Sequence, residues 1–432
     1  VMLSVLGFST IVVFLLLIMT KRLSVLLALI LVPVCFAFIG GFTATSIGEM
    51  IIAGLKQVAP TGIMLMFAVL YFGIMIDAGL FDPMIAGIVR LVKGDPLKIT
   101  IGTALLTMLV HLDGDGTATF MITISALLPI YKRLHMKRLL LPCIVALSAG
   151  VMHLVPWSGT MARAMTVMQA DTKQLLIPIL PSMISGIVWV LCVAYYFGRK
   201  ERKRLGVVHL DYNHHQELSD EQKSIRRSQL FWFNVVLTVA LIVSLIIALL
   251  PLPALFIIAF SIALLINYPK QSEQKSRLAA HASNVFLVSI MIFAAGIFSG
   301  ILTGTKMIDA MAASLVSLVP HQHAAYLPAI VGVTSMPLSL VFTPDAYYFG
   351  VLPVLKGAAV HYGMNPIEMG RAAVLGQMTV GFPLSPLTAS TFVLIGLSEV
   401  ELSDHQKFTF KWAFGTTLMM VIIALLTGAI HI

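Results

Sequence analysis

Apolar residues dominate the chain in long runs, and polar ones collect in the gaps between them. Leu3–Thr20, Leu23–Phe42, Leu230–Leu250 and Trp412–Ile430 are the plainest runs. A helix needs roughly 20 apolar residues to cross a bilayer, because it rises about 1.5 Å per residue. The pattern predicts an all-α polytopic membrane protein. The first run begins almost at residue 1, without a basic flank or small-residue cleavage site, and is read as a span and not a signal peptide.

The gaps are basic. They hold Lys21-Arg22, then Arg90, Lys93 and Lys98, then Lys132-Arg133 with Lys137-Arg138. Arg199 to Arg227 follow, then Lys270, Lys275 and Arg277, and finally Lys407 and Lys411. Together they hold 22 of the 28 Lys and Arg, a bias that assigns these gaps to the cytoplasm. Segment 97–131 then starts and ends on the cytoplasmic side, so it is predicted to be a re-entrant hairpin. A second hairpin, 324–355, enters from outside. Ten spans remain, five on each side of a charged connector at 199–229, and both termini come out external.

The two halves match at a constant offset of 227. Ile63-Met64 pairs with Ile290-Met291, Gly73 with Gly300, Asp82 with Asp309 and Met84 with Met311. Leu91-Val92 pairs with Leu318-Val319, Pro156 with Pro383 and Ser158 with Ser385. Five spans per half is an odd number, so the second half is inserted upside down. The expected layout is a first inverted repeat over 1–198, a linker over 199–229 and a second repeat over 230–432. Each repeat carries one hairpin and one broken helix, at about 139–169 and 367–397. Interrupted helices in inverted repeats are a common transporter architecture, with the site near the midplane.

Composition narrows the class. The chain is 59% hydrophobic and only 11% charged, so lipid must be its solvent. The net charge of +9 would suggest nucleic acid in a soluble protein. Here the positive-inside bias accounts for it, and no nucleic-acid partner is expected. Cys35, Cys143 and Cys192 sit in apolar runs without ligand spacing, so the sequence suggests no disulfide framework or zinc site. The 24 methionines are scattered and read as packing filler.

Four polar islands interrupt the apolar runs, and irregular backbone at membrane depth must be buried in protein or line water. The first runs from His111 to Thr119 and carries Asp113, Gly114, Asp115, Gly116 and Thr117. One Asp at the bilayer centre costs about 2.5–3.5 kcal/mol on insertion scales, so two need a cation, a proton or a helix N-terminus. Either Asp could instead merely cap the following half-helix. The second island is Pro156-Trp157-Ser158-Gly159-Thr160, with Arg163 just beyond as a carboxylate partner or a snorkelling interfacial residue. The third is Thr343-Pro344-Asp345-Ala346-Tyr347-Tyr348, and its Asp345 carboxylate is read as the counterpart of the Asp113–Asp115 pair. The fourth is Pro383-Leu384-Ser385-Pro386-Leu387-Thr388. His111 and His153 could shuttle protons or be structural. Lys306 and Lys356 are read as interfacial.

Leu112–Tyr131, Phe342–Val354 and Leu384–Gly396 resemble the citrate–metal–proton symporter family CitMHS. The resemblance covers nearly the whole chain. It implies a homodimeric elevator, with two hairpin tips and two broken helices holding a carboxylate in a bacterial inner membrane. It implies no enzyme activity and no resident cofactor; a divalent metal such as Mg²⁺ enters as part of the substrate complex. Asp113, Asp115 and Asp345 would meet the metal or carry protons, with Na⁺ as the alternative coupling ion. His153–Thr160 and Val380–Ser385 depart from the family's usual pattern, so another di- or tricarboxylate stays open as cargo. Three rivals remain: an exporter of another cargo on the same fold, a passive anion channel, and an intramembrane aspartyl protease using Asp115 and Asp345.

Overall fold

With apolar residues on every side, caps and breakers set where each helix starts and stops. The computed structural model describes residues 2–92, 94–207, 224–247, 249–316 and 324–432, and among them every regular element is helical. Lys93, most of the predicted connector (208–223) and Leu318-Val319 lie outside that set. The first half contains α1 (Met2–Met19), α2 (Val25–Ile39), α3 (Ala44–Asp77), α4 (Asp82–Val92) and α5 (Pro96–Val110). It continues with α6 (Gly116–Arg133), α7 (Leu140–Met152), α8 (Gly159–Met168) and α9 (Thr172–Leu205). Ser24, Thr43, Asp95, Asp115, Ser158 and Asp171 each accept a backbone N–H at the start of a helix. At Asp171 the cap is a reciprocal box with Gln174.

The second half repeats that order. It runs α10 (Phe231–Ile246), α11 (Leu252–Asn267), α12 (Gln271–Gly304), α13 (Met307–Val316) and α14 (Leu327–Leu338). Then come α15 (Leu352–His361), α16 (Ile367–Val374), α17 (Ala389–Ser398) and α18 (Leu402–Leu426). Shifting α3 by 227 positions lands on α12, residue for residue, and both have 34 residues. Five of the described helices are long and apolar enough to cross a membrane unaided: α3, α9, α12, α18 and the segment Ser228–Leu245.

α3 and α12 cross along their lengths, antiparallel. Gly54 meets Gly296 and Gly300, and Met50 meets Gly304. At the other end Gly73 meets His281, and Asp77 meets Arg277 and His281. The contacts exchange under the 227 shift, since Gly54 maps onto His281 and Gly73 onto Gly300. A Cβ on Gly54 would stand 2.0 Å from the Gly296 carbonyl oxygen. Small residues let backbones approach in lipid, where no hydrophobic force between helices replaces lost contact. Gly54→Ala is therefore expected to cost more than the ~1–3 kcal/mol of ordinary overpacking. A thermal unfolding midpoint in detergent unchanged from wild type would contradict this close crossing.

α11 also packs on α3, while α10 turns Trp232, Val236 and Val239 outward. The hairpins and broken helices form a second group. α5 packs on α7 and α9, α14 on α16 and α18, and α6 on α17. The two groups touch where α8 lies against α3 and α12, and where the turns at His111–Asp113 and Ala346–Val351 meet α3 and α12 in turn.

The basic gaps are tied to one another. Arg226 pairs with Asp82, Arg277 with Asp77, Arg227 with Glu273 and Arg202 with Asp95. Lys132 and Arg138 pair with Glu399 and hold its carboxyl below the usual carboxylate range, mainly through the Lys132 hydrogen bond. A different set joins other loops: Arg371 donates to the carbonyls of Gln174 and Ala429, and Glu368 accepts from His431. The sequence reading starts the connector at 199, yet α9 continues through Leu205. Arg199 to Arg204 are good helix formers, and Glu201 binds Arg204 one turn on.

Candidate functional site

The first hairpin tip is built by two aspartates that fold their own backbone. α5 passes into one tight turn, His111–Asp113, and Gly114 takes φ +77°, which only glycine adopts without strain. Asp113 Oδ1 accepts the Asp115 N–H at 2.9 Å. Asp115 caps α6, its Oδ1 accepting the Thr117 N–H at 2.9 Å. Gly116 opens α6 against Phe382, which stands where its Cβ would be. Both carboxylates are thus held near the positive end of α6.

This tip docks on the first helix break. Trp157 Nε1–H donates to the Leu112 carbonyl at 2.7 Å, and Gly114 lies against Trp157 and Ser158. Ser158 caps α8, accepting from Met161 at 3.2 Å while its hydroxyl donates to the His153 carbonyl at 2.6 Å. Thr160 reaches across to the second break and donates to the Met378 carbonyl at 2.8 Å. Gly150 makes the same crossing by contact, its Cβ position lying 2.7 Å from Val380 Cα.

The second hairpin tip is anchored differently. Thr343 Oγ1 accepts the Ala346 N–H, Pro344 opens the turn, and Ala346–Val351 forms a widened, π-type turn. Asp345 Oδ1 accepts from Arg163 Nε at 2.7 Å, and both side chains are about 15% exposed (15% and 16%). Arg163 also donates to the Gly159 carbonyl. Asp345, read as the counterpart of the Asp113–Asp115 pair, has a cation from α8 as its partner, the Arg163 read as either a carboxylate partner or an interfacial residue. In the second break Ser385 donates to the Ser339 carbonyl at 2.6 Å and accepts from Leu387, with Pro386 in the turn between them. Thr388 donates to the Phe382 carbonyl at 2.7 Å.

Gln377 and Thr379 are contributors that the sequence does not single out. Gln377 receives the Tyr348 hydroxyl on its carbonyl and the Ser339 hydroxyl on its side chain. Gln377 Nε2, Thr379 Oγ1 and His153 Nε2 are buried with no hydrogen-bond partner among the described residues. Gln377 was legible in principle, as the one amide in the apolar stretch 372–384. His111 and His153, 42 positions apart, meet through a 2.8 Å hydrogen bond. Lys356, read as interfacial, is partly buried and donates to the Val167 carbonyl near the end of α8. Among the described residues no three His, Cys, Asp or Glu side chains gather closely enough to hold a resident metal.

A separate cavity of about 770 Å³ opens between α3, the α8–α9 turn and the α10–α11 loop. Pro60, Met64, Thr166, Lys173 and Pro251 are among its walls, and its lining includes none of the four islands.

A family model described as citrate transporter, CitMHS, matches residues 14–376. The chain is 55% identical over 430 residues to a citrate transporter of Bacillus subtilis (strain 168), covering 99% of this chain and 100% of the relative. It is 50% identical over 433 residues to the same organism's Mg(2+)/citrate complex secondary transporter, covering 100% of both. In fold it is similar to the crystal structure of the Alcanivorax borkumensis YdaH transporter, with TM-score 0.55 and 14% identity over 87% of this chain and 86% of that one. The chain is a multi-pass integral protein of the plasma membrane and a transporter, not an enzyme. From the family match and these two relatives, the chain belongs to the CitMHS family of citrate transporters.

Proposed function

We propose that the chain is a secondary active transporter that takes up citrate as its complex with a divalent cation such as Mg²⁺, coupled to protons. The observation that carries this reading is the convergence of four irregular segments in one polar core. Trp157 binds Leu112, Thr160 binds Met378, Arg163 binds Asp345 and Ser385 binds Ser339, so both tips and both breaks are joined. The names of the relatives favour citrate over another carboxylate, and one of them carries it with Mg²⁺.

Charge explains why the metal travels with the cargo. Citrate carries about three negative charges at neutral pH, and chelating Mg²⁺ leaves about one, which is far cheaper to desolvate. Mg²⁺ also keeps much of its own oxygen shell, so it needs few ligands from the protein. In this reading the N-terminus of α8 at Gly159 receives a carboxylate, together with the Ser385–Thr388 turn, since Asp115 already caps α6. Asp113 and Asp115 face the cation side of the complex, and Asp345 holds Arg163 between them. The repeats are inverted: the antiparallel crossing of α3 and α12, equivalent under the 227 shift, supports that arrangement. We assign α3 and α12 to a scaffold, and the hairpins and broken helices to a unit that moves as an elevator within a homodimer.

The test is uptake of labelled citrate into proteoliposomes, with and without Mg²⁺, Ca²⁺, Zn²⁺ or Ni²⁺, under an imposed pH or sodium gradient. Saturable accumulation that needs both a metal and an inside-alkaline gradient is expected. Accumulation driven by sodium alone would replace the coupling ion. Equilibration without accumulation would mean a channel, and no citrate uptake with any metal would remove citrate as cargo.

A further inference from the structure

Three side chains form a directed hydrogen-bond chain behind the first hairpin tip. Thr119 on α6 donates its hydroxyl to the Asp115 carbonyl at 2.7 Å. A hydroxyl has one hydrogen, so its oxygen can only accept from His111 Nδ1, 2.9 Å away. His111 Nδ1 therefore carries a proton, and in the neutral ring Nε2 is a bare lone pair. That lone pair lies 2.8 Å from His153 Nδ1, which must then be the donor. By the same rule His153 Nε2 is left with a lone pair, buried and without a partner.

We propose that His153 Nε2 is the position that takes up and releases the transported proton, with His111 and Thr119 fixing its tautomer. The inference rests on the proton-coupled reading above. Both nitrogens of His111 are engaged, so the dyad has one open protonation position. The site suits a proton because a proton needs no volume. Phe382 lies 4.9 Å from the His153 ring centre to centre, and the ring is only 4% exposed. A metal ion or a substrate oxygen would have to displace that packing.

On protonation a new N–H bond forms at Nε2 as an O–H bond of a hydronium ion breaks and its water leaves, and the pair gains one positive charge. The Nδ1–H to His111 then becomes a charge-assisted hydrogen bond, shorter and stronger than a neutral one. The titratable and charged groups facing the ring come from two elements. His111 stands on the hairpin turn, with Asp113 and Asp115 following it in that turn, and Arg163 on α8 acts from across the break. Asp345 answers the Arg163 charge at 2.7 Å. The second break presents the apolar Phe382.

Coupling follows from charge. An extra buried positive charge is costly alone, and so is a buried anionic complex. Each lowers the cost of the other, so proton and cargo bind with positive, reciprocal linkage. The proton is released when the cargo leaves and the charge loses its partner.

The test uses the full chain in proteoliposomes with labelled citrate and Mg²⁺. His153→Asn keeps an amide donor for His111 Nε2 and cannot take a proton. Uphill accumulation under an inside-alkaline gradient is expected to fall at least ~10-fold, the equivalent of about 1.4 kcal/mol. Citrate–citrate exchange, which needs no net proton movement, is expected to persist. A variant that accumulates as wild type does, or a folded one that loses both activities, would overturn the assignment. If His153→Asn does not yield monodisperse protein, Thr119→Val serves instead. It removes the acceptor that fixes the tautomer and is expected to shift the pH profile of accumulation; an unmoved profile would also overturn the assignment. Wild-type accumulation indifferent to the pH gradient would instead reject proton coupling itself.

Discussion

Arg163→Ala is expected to abolish uptake and to destabilise the protein by about 3–5 kcal/mol, the usual cost of stranding one member of a buried ion pair. Asp345 sits on a widened turn in the second hairpin tip, mostly out of water, and accepts from Arg163 Nε at 2.7 Å. Removing the guanidinium leaves the carboxylate with no nearby cation among the described contacts. It also takes a donor from the Gly159 carbonyl, next to the α8 N-terminus. The double variant Arg163→Gln with Asp345→Asn separates two roles. Two neutral amides can hydrogen-bond in place of the pair, so most of the lost stability should return. Uptake should not return if the guanidinium, which also donates to the Gly159 carbonyl at the start of α8, meets the anionic cargo as well. A double variant that regains uptake would reduce Arg163 to a latch holding the tip. Thermal midpoints in detergent and initial uptake rates in proteoliposomes read the two effects separately.

What the sequence makes visible is set by the chemistry of breaking a helix in lipid. Asp113-Gly114-Asp115-Gly116, Pro156–Thr160, Thr343-Pro344-Asp345 and Pro383–Thr388 stand out because Gly, Pro and charged residues are expensive there, and all four mark helix ends in the structure. The ends of the first hairpin are visible for the opposite reason, since Lys98 and Lys132-Arg133 must reach water. Partners were not visible. Arg163 and Asp345 are 182 positions apart, and His111 and His153 are 42 apart. Helices that are apolar all round carry no stripe to say which face meets which neighbour. The α3–α12 crossing shows the same loss. The 227 shift matched Gly73 to Gly300 by sequence, yet in space Gly300 meets Gly54 and Gly73 meets His281. A repeat pairs equivalent positions in sequence without putting them in contact. Gln377 and Thr379 escaped notice because single uncharged polar residues in an apolar run give little signal, although burial makes them significant.

Asp115→Asn is expected to leave the fold intact and reduce uptake by about 100-fold. Asn caps a helix as well as Asp does, so the Oδ1 bond to the Thr117 N–H survives, and stability should move by less than ~0.5 kcal/mol. What disappears is the negative charge beside the Asp113 carboxylate. If that charge faces the cation of the cargo, its loss removes a charged contact of about 1.5–3 kcal/mol, and each 1.36 kcal/mol is tenfold. Asp115→Ala should lose the same uptake and, in addition, about 1 kcal/mol of stability with the cap. The two variants thus divide the reading of Asp115 as a helix cap from its reading as a transport residue. Uptake by Asp115→Asn at the wild-type rate, with Asp115→Ala merely less stable, would leave Asp115 as a cap. Asp113, whose Oδ1 is held by the Asp115 N–H, would then be the carboxylate of that tip left to meet the cation.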